Sequence, residues 1–168
     1  GAWSGDSKTH VSSMSSGDFR SNEKSVTVEN PTEAKIVFAS ADGTETVLKE
    51  SVPLQPGEIL DATFMSRKTL VSFLQEQVAE AKEQGVLFSL HMKATMMKVS
   101  DPIIFGHGVR AFFQPLFDSH GDVFESLGVD VNNGFGDLVA KIQSLPDATR
   151  QEIESAIESS LKTGPAIA

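Results

Sequence analysis

The feature that most constrains the fold is the change from a helical to a strand-like pattern within residues 66–92. Ser66 predicts a helix N-cap, because its hydroxyl can accept an unpaired amide of the first turn, and Gly85 predicts the residue just past the C-terminus. Between them, apolar side chains recur at three- and four-residue spacing, at Leu70, Phe73, Leu74, Val78 and Ala81. Residues 86–92 are then apolar on both faces except at Ser89 and His91. We therefore predict a helix over 67–84, followed at once by a strand buried between two layers.

Strand patterns also come before this helix. Short runs rich in β-branched and apolar residues lie at 25–28, 34–40, 45–48 and 58–64. The pair Asp42-Gly43 lies between two of these runs and is a strong signal for a hairpin turn. Strands, a long helix and a further strand in this order favour an α/β fold in which a helix packs on a sheet.

The second half of the chain has helical patterns. Asp101-Pro102 suits a helix start, and Pro115 is expected to kink or end that helix. Further helices are predicted at 117–127, 137–145 and 146–161, with Asp137 as a cap. These patterns describe a single fragment, 1–168, with an irregular docking segment at 1–25, a strand-rich part with one long helix at 26–102 and a helical part at 103–168.

Composition excludes several classes of protein. The chain carries 14 Lys and Arg against 23 Asp and Glu, a net charge of −9, and its basic residues are scattered, which argues against binding to nucleic acid. It has no cysteine, so disulfides and thiolate metal sites are excluded. No apolar run approaches the roughly 20 residues that a membrane helix needs. We therefore expect a cytoplasmic protein with no membrane partner.

Lys93 is the residue whose position most favours a chemical role. It follows the carboxyl end of the predicted buried strand, and open α/β sheets bind ligands in the crevice beyond such ends. An ammonium group there can pair with a substrate carboxylate or exchange a proton with it. A solvated lysine at a strand end fits the same pattern, and position alone favours that interpretation.

The other patterns give weaker evidence of a site. Residues 134–137, Gly-Phe-Gly-Asp, precede a helix but lack the preceding strand and third glycine of a dinucleotide-binding loop. The four histidines share no metal-ligand spacing. We expect His91 to be buried or to line a crevice, His107 to lie on a helix face, and His10 and His120 to lie at the surface.

A longer pattern resembles a known family. Residues 91–103, His-Met-Lys-Ala-Thr-Met-Met-Lys-Val-Ser-Asp-Pro-Ile, and the Phe-Gly-His at 105–107 closely resemble the monomeric type of bacterial NADP-dependent isocitrate dehydrogenase. Residues 1–4, 17–19, the Asp42-Gly43 hairpin and 130–134 also resemble this family and occur in the same order. The resemblance therefore spans essentially the whole chain. Chains of that family are several times longer, and this sequence begins with Gly1. We therefore expect an internal segment of the large domain.

The resemblance implies a fold and a chemistry. The fold is a three-layer α/β architecture with a mixed sheet, of the isocitrate and isopropylmalate dehydrogenase type, of which this chain would be one subdomain. The implied reaction is oxidation of isocitrate by NADP and decarboxylation to 2-oxoglutarate, with Mg²⁺ or Mn²⁺. Lys93 matches the family's active-site lysine, which lies near the C2 oxygen of the substrate and assists proton transfer.

The same resemblance assigns no other site residue to this chain. It places the substrate-binding stretch before Gly1 and the metal-binding aspartates and nucleotide contacts beyond Ala168. The family's proton-donating tyrosine is missing here, because the chain has no tyrosine. We therefore expect no NADP, Mg²⁺ or Mn²⁺ to bind this segment alone.

Two functional hypotheses follow. In the first, the chain is a segment of an isocitrate dehydrogenase that supplies Lys93, is inactive alone, and has isocitrate and the remainder of the same polypeptide as partners. In the second, it is a stand-alone noncatalytic domain that binds another protein through an exposed sheet or helix surface. The second hypothesis is attractive because these residues cannot complete an active site by themselves.

Overall fold

The structure, a computed structural model, describes residues 1–92 and 98–167. They form two compact units, one made of Ser15–Met65 and the other of Gly1–Met14 with the described part of Ser66–Ala168. The boundary between Met65 and Ser66 falls where the long predicted helix begins, so the strands before that helix belong to a different unit. The unit boundaries, 14/15 and 65/66, differ from 25/26 and 102/103, where the sequence pattern changes between the parts named above.

The unit Ser15–Met65 is built from antiparallel strands. A one-turn helix, α1 (Phe19–Asn22), is capped by Asp18, whose carboxylate accepts the amide of Ser21 at 3.1 Å. The strands form two separate two-stranded sheets, pairing β1 (Lys24–Thr27) with β4 (Ile59–Ala62), and β2 (Thr32–Ala39) with β3 (Glu45–Leu54). The hairpin predicted at Asp42-Gly43 is confirmed, since Gly43 has a φ of 85° in the turn between β2 and β3.

The first helix of the second unit is the long helix α2 (Arg67–Gln84), which has the predicted bounds. The Ser66 hydroxyl accepts the amide of Thr69 at 3.3 Å, and Gly85 adopts the left-handed conformation, with φ at 68°, that ends many helices. Leu70, Leu74 and Ala81 form the buried stripe of α2.

The strand predicted over 86–92 is not formed. Phe88 makes one isolated parallel bridge with Ile167, and its amide donates to the Ala166 carbonyl at 2.7 Å. Along the run, half-buried residues at 86, 88, 90 and 92 alternate with exposed residues at 87, 89 and 91. The prediction of a strand buried between two layers is therefore wrong for the described residues, since none of them supplies the second layer.

The predicted helical half is confirmed in outline. It contains α3 (Ser100–Phe112), α4 (Gln114–Ser126), α5 (Phe135–Lys141) and α6 (Asp147–Thr163). Pro115 lies in the first turn of α4, where its fixed φ is tolerated, and it separates α4 from α3. Asp137 is not the cap of α5: Gly134 is the N-cap, and Asp137 lies in the first turn.

The core of this unit lies among α3 to α6. Its most buried side chains are Leu116, Leu138, Ile142 and Ile153. Phe113 stacks on Phe135 with ring centroids 4.2 Å apart and meets Phe112 edge-on at 4.8 Å. Within residues 1–92 and 98–167, no helix combines the length and the apolar character needed to cross a bilayer.

Candidate active-site region

Lys93 lies among residues 93–97, outside the described residues. The region around it is therefore built from the chain that leads into it, residues 86–92, and from the chain that follows it, from Lys98 onward. Both belong to the same unit.

Three contacts hold the run 86–92. At its start, the Val86 amide donates to the Ala81 carbonyl of α2 at 3.0 Å. Phe88 is tied to Ala166 by the bridge described above, which joins it to the chain beyond α6. Leu90 packs against Gly108 of α3 so closely that a Cβ at position 108 would lie 2.4 Å from Leu90 Cδ2. The run is thus attached to two helices and to the chain beyond a third.

After Lys93 in the sequence, Asp101 makes two hydrogen bonds with Lys98 at the start of α3. The Lys98 amide donates to the Asp101 carboxylate at 2.8 Å, and the Asp101 amide donates back to the Lys98 carbonyl at 3.0 Å. A carboxylate in the first turn also interacts favourably with the helix dipole. Ser100, the first residue of α3, is half-buried beside it.

A cavity of about 710 Å³ lies beside the run 86–91. Its other walls come from α2, including Phe73 and Leu74, and from residues 9–12 near the start of the chain. Residues 8–12 run along a polar stripe of α2. The Lys8 ammonium donates to the Gln84 carbonyl at 3.2 Å, His10 Nε2 lies 3.8 Å from Glu80 Oε1, and Ser12 donates to Gln77.

The histidines occupy different environments. His91 is exposed and lines the cavity, so the prediction of a crevice position is confirmed. His107 lies half-buried on α3; burial lowers its pKa, and the positive charges of Arg67 and Arg110 lower it further. This environment favours the neutral imidazole at neutral pH. His10, with a side chain 44% exposed, is at the surface as predicted.

His120 is a correction to the sequence interpretation. Its side chain is only 13% exposed, and its Nδ1 is buried with no hydrogen-bond partner among the described residues. Its Nε2 lies 3.5 Å from a carboxylate oxygen of Glu152 on α6. The pairing between α4 and α6 removes this histidine from the surface, and spacing along one helix could not reveal that pairing.

Sequence reasoning also missed the role of two buried glycines on α3. A Cβ at Gly106 would lie 2.2 Å from Asn132 Oδ1 and 3.2 Å from the Asn132 amide nitrogen, and Gly108 receives Leu90. The signal was present, because two glycines within a predicted helix each cost roughly 0.5–1 kcal/mol relative to alanine and so indicate close packing.

The described residues contain no cluster of metal-ligating side chains, and the loop before α5 does not suit an anion. None of them belongs to a group of three or more acidic or histidine side chains that could hold a metal ion. The loop before α5 follows a 3-10 turn rather than a strand. Its Asp137 carboxylate accepts the Asp130 amide at 2.7 Å and pairs with Lys141 at 2.9 Å, and both interactions lower the pKa of Asp137. This ionised carboxylate disfavours an anion in the same turn.

The described chain combines α-helices with two small antiparallel sheets, a mixed α and β fold. The family model for monomeric isocitrate dehydrogenase matches residues 1–168. The chain therefore belongs to the monomeric isocitrate dehydrogenase family.

Curated relatives show the same similarity along the whole chain. The sequence is 50% identical to isocitrate dehydrogenase [NADP] 2 of Colwellia maris, 49% identical to isocitrate dehydrogenase [NADP] of Corynebacterium glutamicum and 46% identical to that of Azotobacter vinelandii. Each match covers 100% of this chain but only 22% or 23% of the relative. The chain thus spans between a fifth and a quarter of the length of these relatives.

Proposed function

We propose that this chain is a segment of an NADP-dependent isocitrate dehydrogenase, which oxidises isocitrate and decarboxylates it to 2-oxoglutarate. The observation that carries the proposal is the similarity of all 168 residues to proteins named NADP isocitrate dehydrogenases, at 46–50% identity. Such similarity over a complete chain is far more specific than any single motif.

Within this proposal, Lys93 is the active-site residue that the segment contributes. Its ammonium would lie near the C2 oxygen of isocitrate, where it adds positive charge as negative charge develops and takes part in proton transfer. The three attachments of the run 86–92 support this role, because a catalytic side chain has to be presented by a well-held backbone. NADP and Mg²⁺ or Mn²⁺ would bind through residues outside this chain.

The proposal extends to the whole protein. We infer a three-layer mixed-sheet architecture, with this chain as one subdomain of the large domain, and a cytoplasmic location. These inferences are supported by the family membership.

The direct test is the activity of the full-length protein. We expect the purified protein to form NADPH from NADP only when isocitrate and Mg²⁺ are both present, as followed by NADPH absorbance. Malate and isopropylmalate are suitable control substrates, since each keeps the 2-hydroxy acid group. The absence of isocitrate-dependent NADPH formation would overturn the proposal.

Lys93→Met in the full-length protein tests the assigned residue. We expect turnover to fall by roughly 10²–10⁴-fold, the usual contribution of a general acid or base, while the KM for isocitrate changes much less. Lys98→Met is a matched control, because Lys98 is an exposed lysine five positions later in the same stretch. Equal turnover of Lys93→Met and the unmodified enzyme would remove Lys93 from the chemistry.

A noncatalytic interaction domain is the alternative. It is favoured by the apolar side chains that β2 and β3 expose, among them Ile36 at 52%, Phe38 at 56% and Leu48 at 64%. The same exposure follows if these strands meet the remainder of a longer polypeptide. Activity of the full-length protein distinguishes the two hypotheses.

A further inference from the structure

We propose that Asp101 is a positioning residue for Lys93, and that it acts through the hydrogen bond between its carboxylate and the Lys98 amide. Asp101 would touch neither substrate nor cofactor. It would hold the backbone from which the Lys93 ammonium is presented. The inference rests on the proposed function, since it takes Lys93 as the active-site residue of an isocitrate dehydrogenase.

The described chain on both sides of Lys93 is attached to the same helix, α3. Leu90, three residues before Lys93, packs against Gly108. Lys98, five residues after Lys93, donates its amide to Asp101 in the first turn of the helix. Asp101 and Gly108 are seven positions apart, so the two attachment points are separated by about 10 Å along the helix axis. One helix therefore holds both ends of the stretch that includes Lys93.

The attachment at Asp101 consists of two hydrogen bonds that run in opposite directions. The Lys98 amide donates to the Asp101 carboxylate at 2.8 Å, and the Asp101 amide donates to the Lys98 carbonyl at 3.0 Å. A first-turn carboxylate that accepts the amide three residues earlier is one half of a capping box. An ionised acceptor makes this bond stronger than a neutral one would. Without the carboxylate, the Lys98 amide loses the acceptor that ties it to α3.

The position of Lys93 matters because proton transfer requires close contact. A general acid or base has to lie within about 2.6–3.2 Å of the atom that it serves, and a misplacement of about 1 Å can lower the rate by about 100-fold. Fixing both ends of a short stretch reduces the number of conformations open to the residues between them. Loss of one attachment is therefore expected to lower turnover more than it weakens the binding of isocitrate.

Asp101→Ala in the full-length protein tests the inference. We expect kcat with isocitrate to fall at least about 10-fold, while the KM for isocitrate changes by less than about 3-fold. Asp101→Asn keeps an oxygen that can accept the Lys98 amide, so it should retain most of the turnover. Unchanged kcat in Asp101→Ala would overturn the inference.

Asp137→Ala is a matched control for the loss of a first-turn carboxylate. Asp137 lies in the first turn of α5, and its carboxylate accepts the Asp130 amide at 2.7 Å. Loss of a helix cap typically costs about 0.5–2 kcal/mol, so both alanine variants are expected to fold with a lower thermal midpoint. Only Asp101→Ala should also lose turnover. A loss of turnover of equal size in Asp137→Ala would show a general effect of lower stability and would overturn the inference.

A double variant separates positioning from direct participation. If Asp101 acts through Lys93, Asp101→Ala should lower kcat by less than about 2-fold in the Lys93→Met background, because the group that it positions is already absent. A fall of the same size in both backgrounds would overturn the inference. Isocitrate-dependent NADPH formation by the unmodified protein is measured beside these variants. Its absence would overturn the proposed function and this inference together, whereas an active enzyme that Asp101→Ala leaves unchanged would overturn only this inference.

Discussion

At the scale of single residues, side chains at adjacent positions differ strongly in how deeply they are buried. Leu138 and Val139 are adjacent on α5, but Leu138 is completely buried in the core while Val139 is 41% exposed. The helical period turns one side chain inward and the next one outward. The sequence predicted a helix here, and the packing of α5 in the core explains why Leu138 is the buried one.

Leu138→Ala is therefore expected to be far more destabilising than Val139→Ala. Removal of a buried leucine side chain leaves a cavity and typically costs about 2–5 kcal/mol, whereas a half-exposed valine loses much less. Denaturant unfolding of both variants, monitored by circular dichroism, measures the difference. Equal shifts of the unfolding midpoint would contradict the burial of Leu138.

Asp42, in the β2–β3 turn, should titrate well below an ordinary aspartate. The Ser40 hydroxyl donates to its carboxylate, as does the Thr44 amide at 2.9 Å, and these bonds lower its pKa from 3.8 to about 2. Because the folded pKa lies below the unfolded one, the stabilisation is present above about pH 4 and is lost as the pH falls through 2. Carboxyl carbon shifts in an NMR titration measure this pKa. A midpoint near 4 would exclude these hydrogen bonds.

At the scale of elements, α2 was predictable and the run 86–92 was not. Local signals define α2, since its cap at Ser66, its apolar spacing and its stop at Gly85 all lie within the helix or beside it. Whether a strand forms depends on a partner that can be far away in the sequence. The apolar run from Val86 therefore predicted a strand that the described residues do not form, since it makes only the isolated bridge of Phe88 with Ile167.

Gly106 and Gly108 of α3 are required by the residues that pack against them, Asn132 and Leu90. Gly106→Ala should destabilise the protein, because the new Cβ would lie 2.2 Å from Asn132 Oδ1 and the Asn132 amide nitrogen is also close. Gly121→Ala on α4 is the matched control: no atom lies within 4 Å of its Cβ position, so alanine should stabilise by about 0.5–1 kcal/mol. Thermal unfolding of both variants checks the opposite signs. A stabilising Gly106→Ala would disprove the close contact.

At the scale of the whole molecule, the described residues match only part of each curated relative. The strands of Ser15–Met65 form only two-stranded sheets, which are marginal without a further layer. The described residues contain no cluster that could bind a metal, and the sequence has no tyrosine. The chain spans less than a quarter of the length of these relatives.

The 168-residue chain by itself is expected to be inactive. It would supply Lys93, but not the substrate, metal and nucleotide contacts that the family resemblance places on other segments. Incubation of the purified chain with isocitrate, NADP and Mg²⁺ should give no NADPH, while the full-length protein in a parallel assay should give it. NADPH formation by the chain alone, without a complementing fragment, would contradict the assignment of those contacts.

The sequence by itself determined α2, the outline of α3 to α6, the β2–β3 hairpin and the family, because caps, turn residues and periodic apolar positions act over a few residues and a long similarity needs no coordinates. Only the tertiary structure decided that the Nδ1 of His120 is buried, that Gly106 and Gly108 receive Asn132 and Leu90, and that residues 86–92 carry a single bridge. Each of these depends on contacts between residues distant in the sequence. Such contacts are set by packing and pairing, which local patterns do not encode.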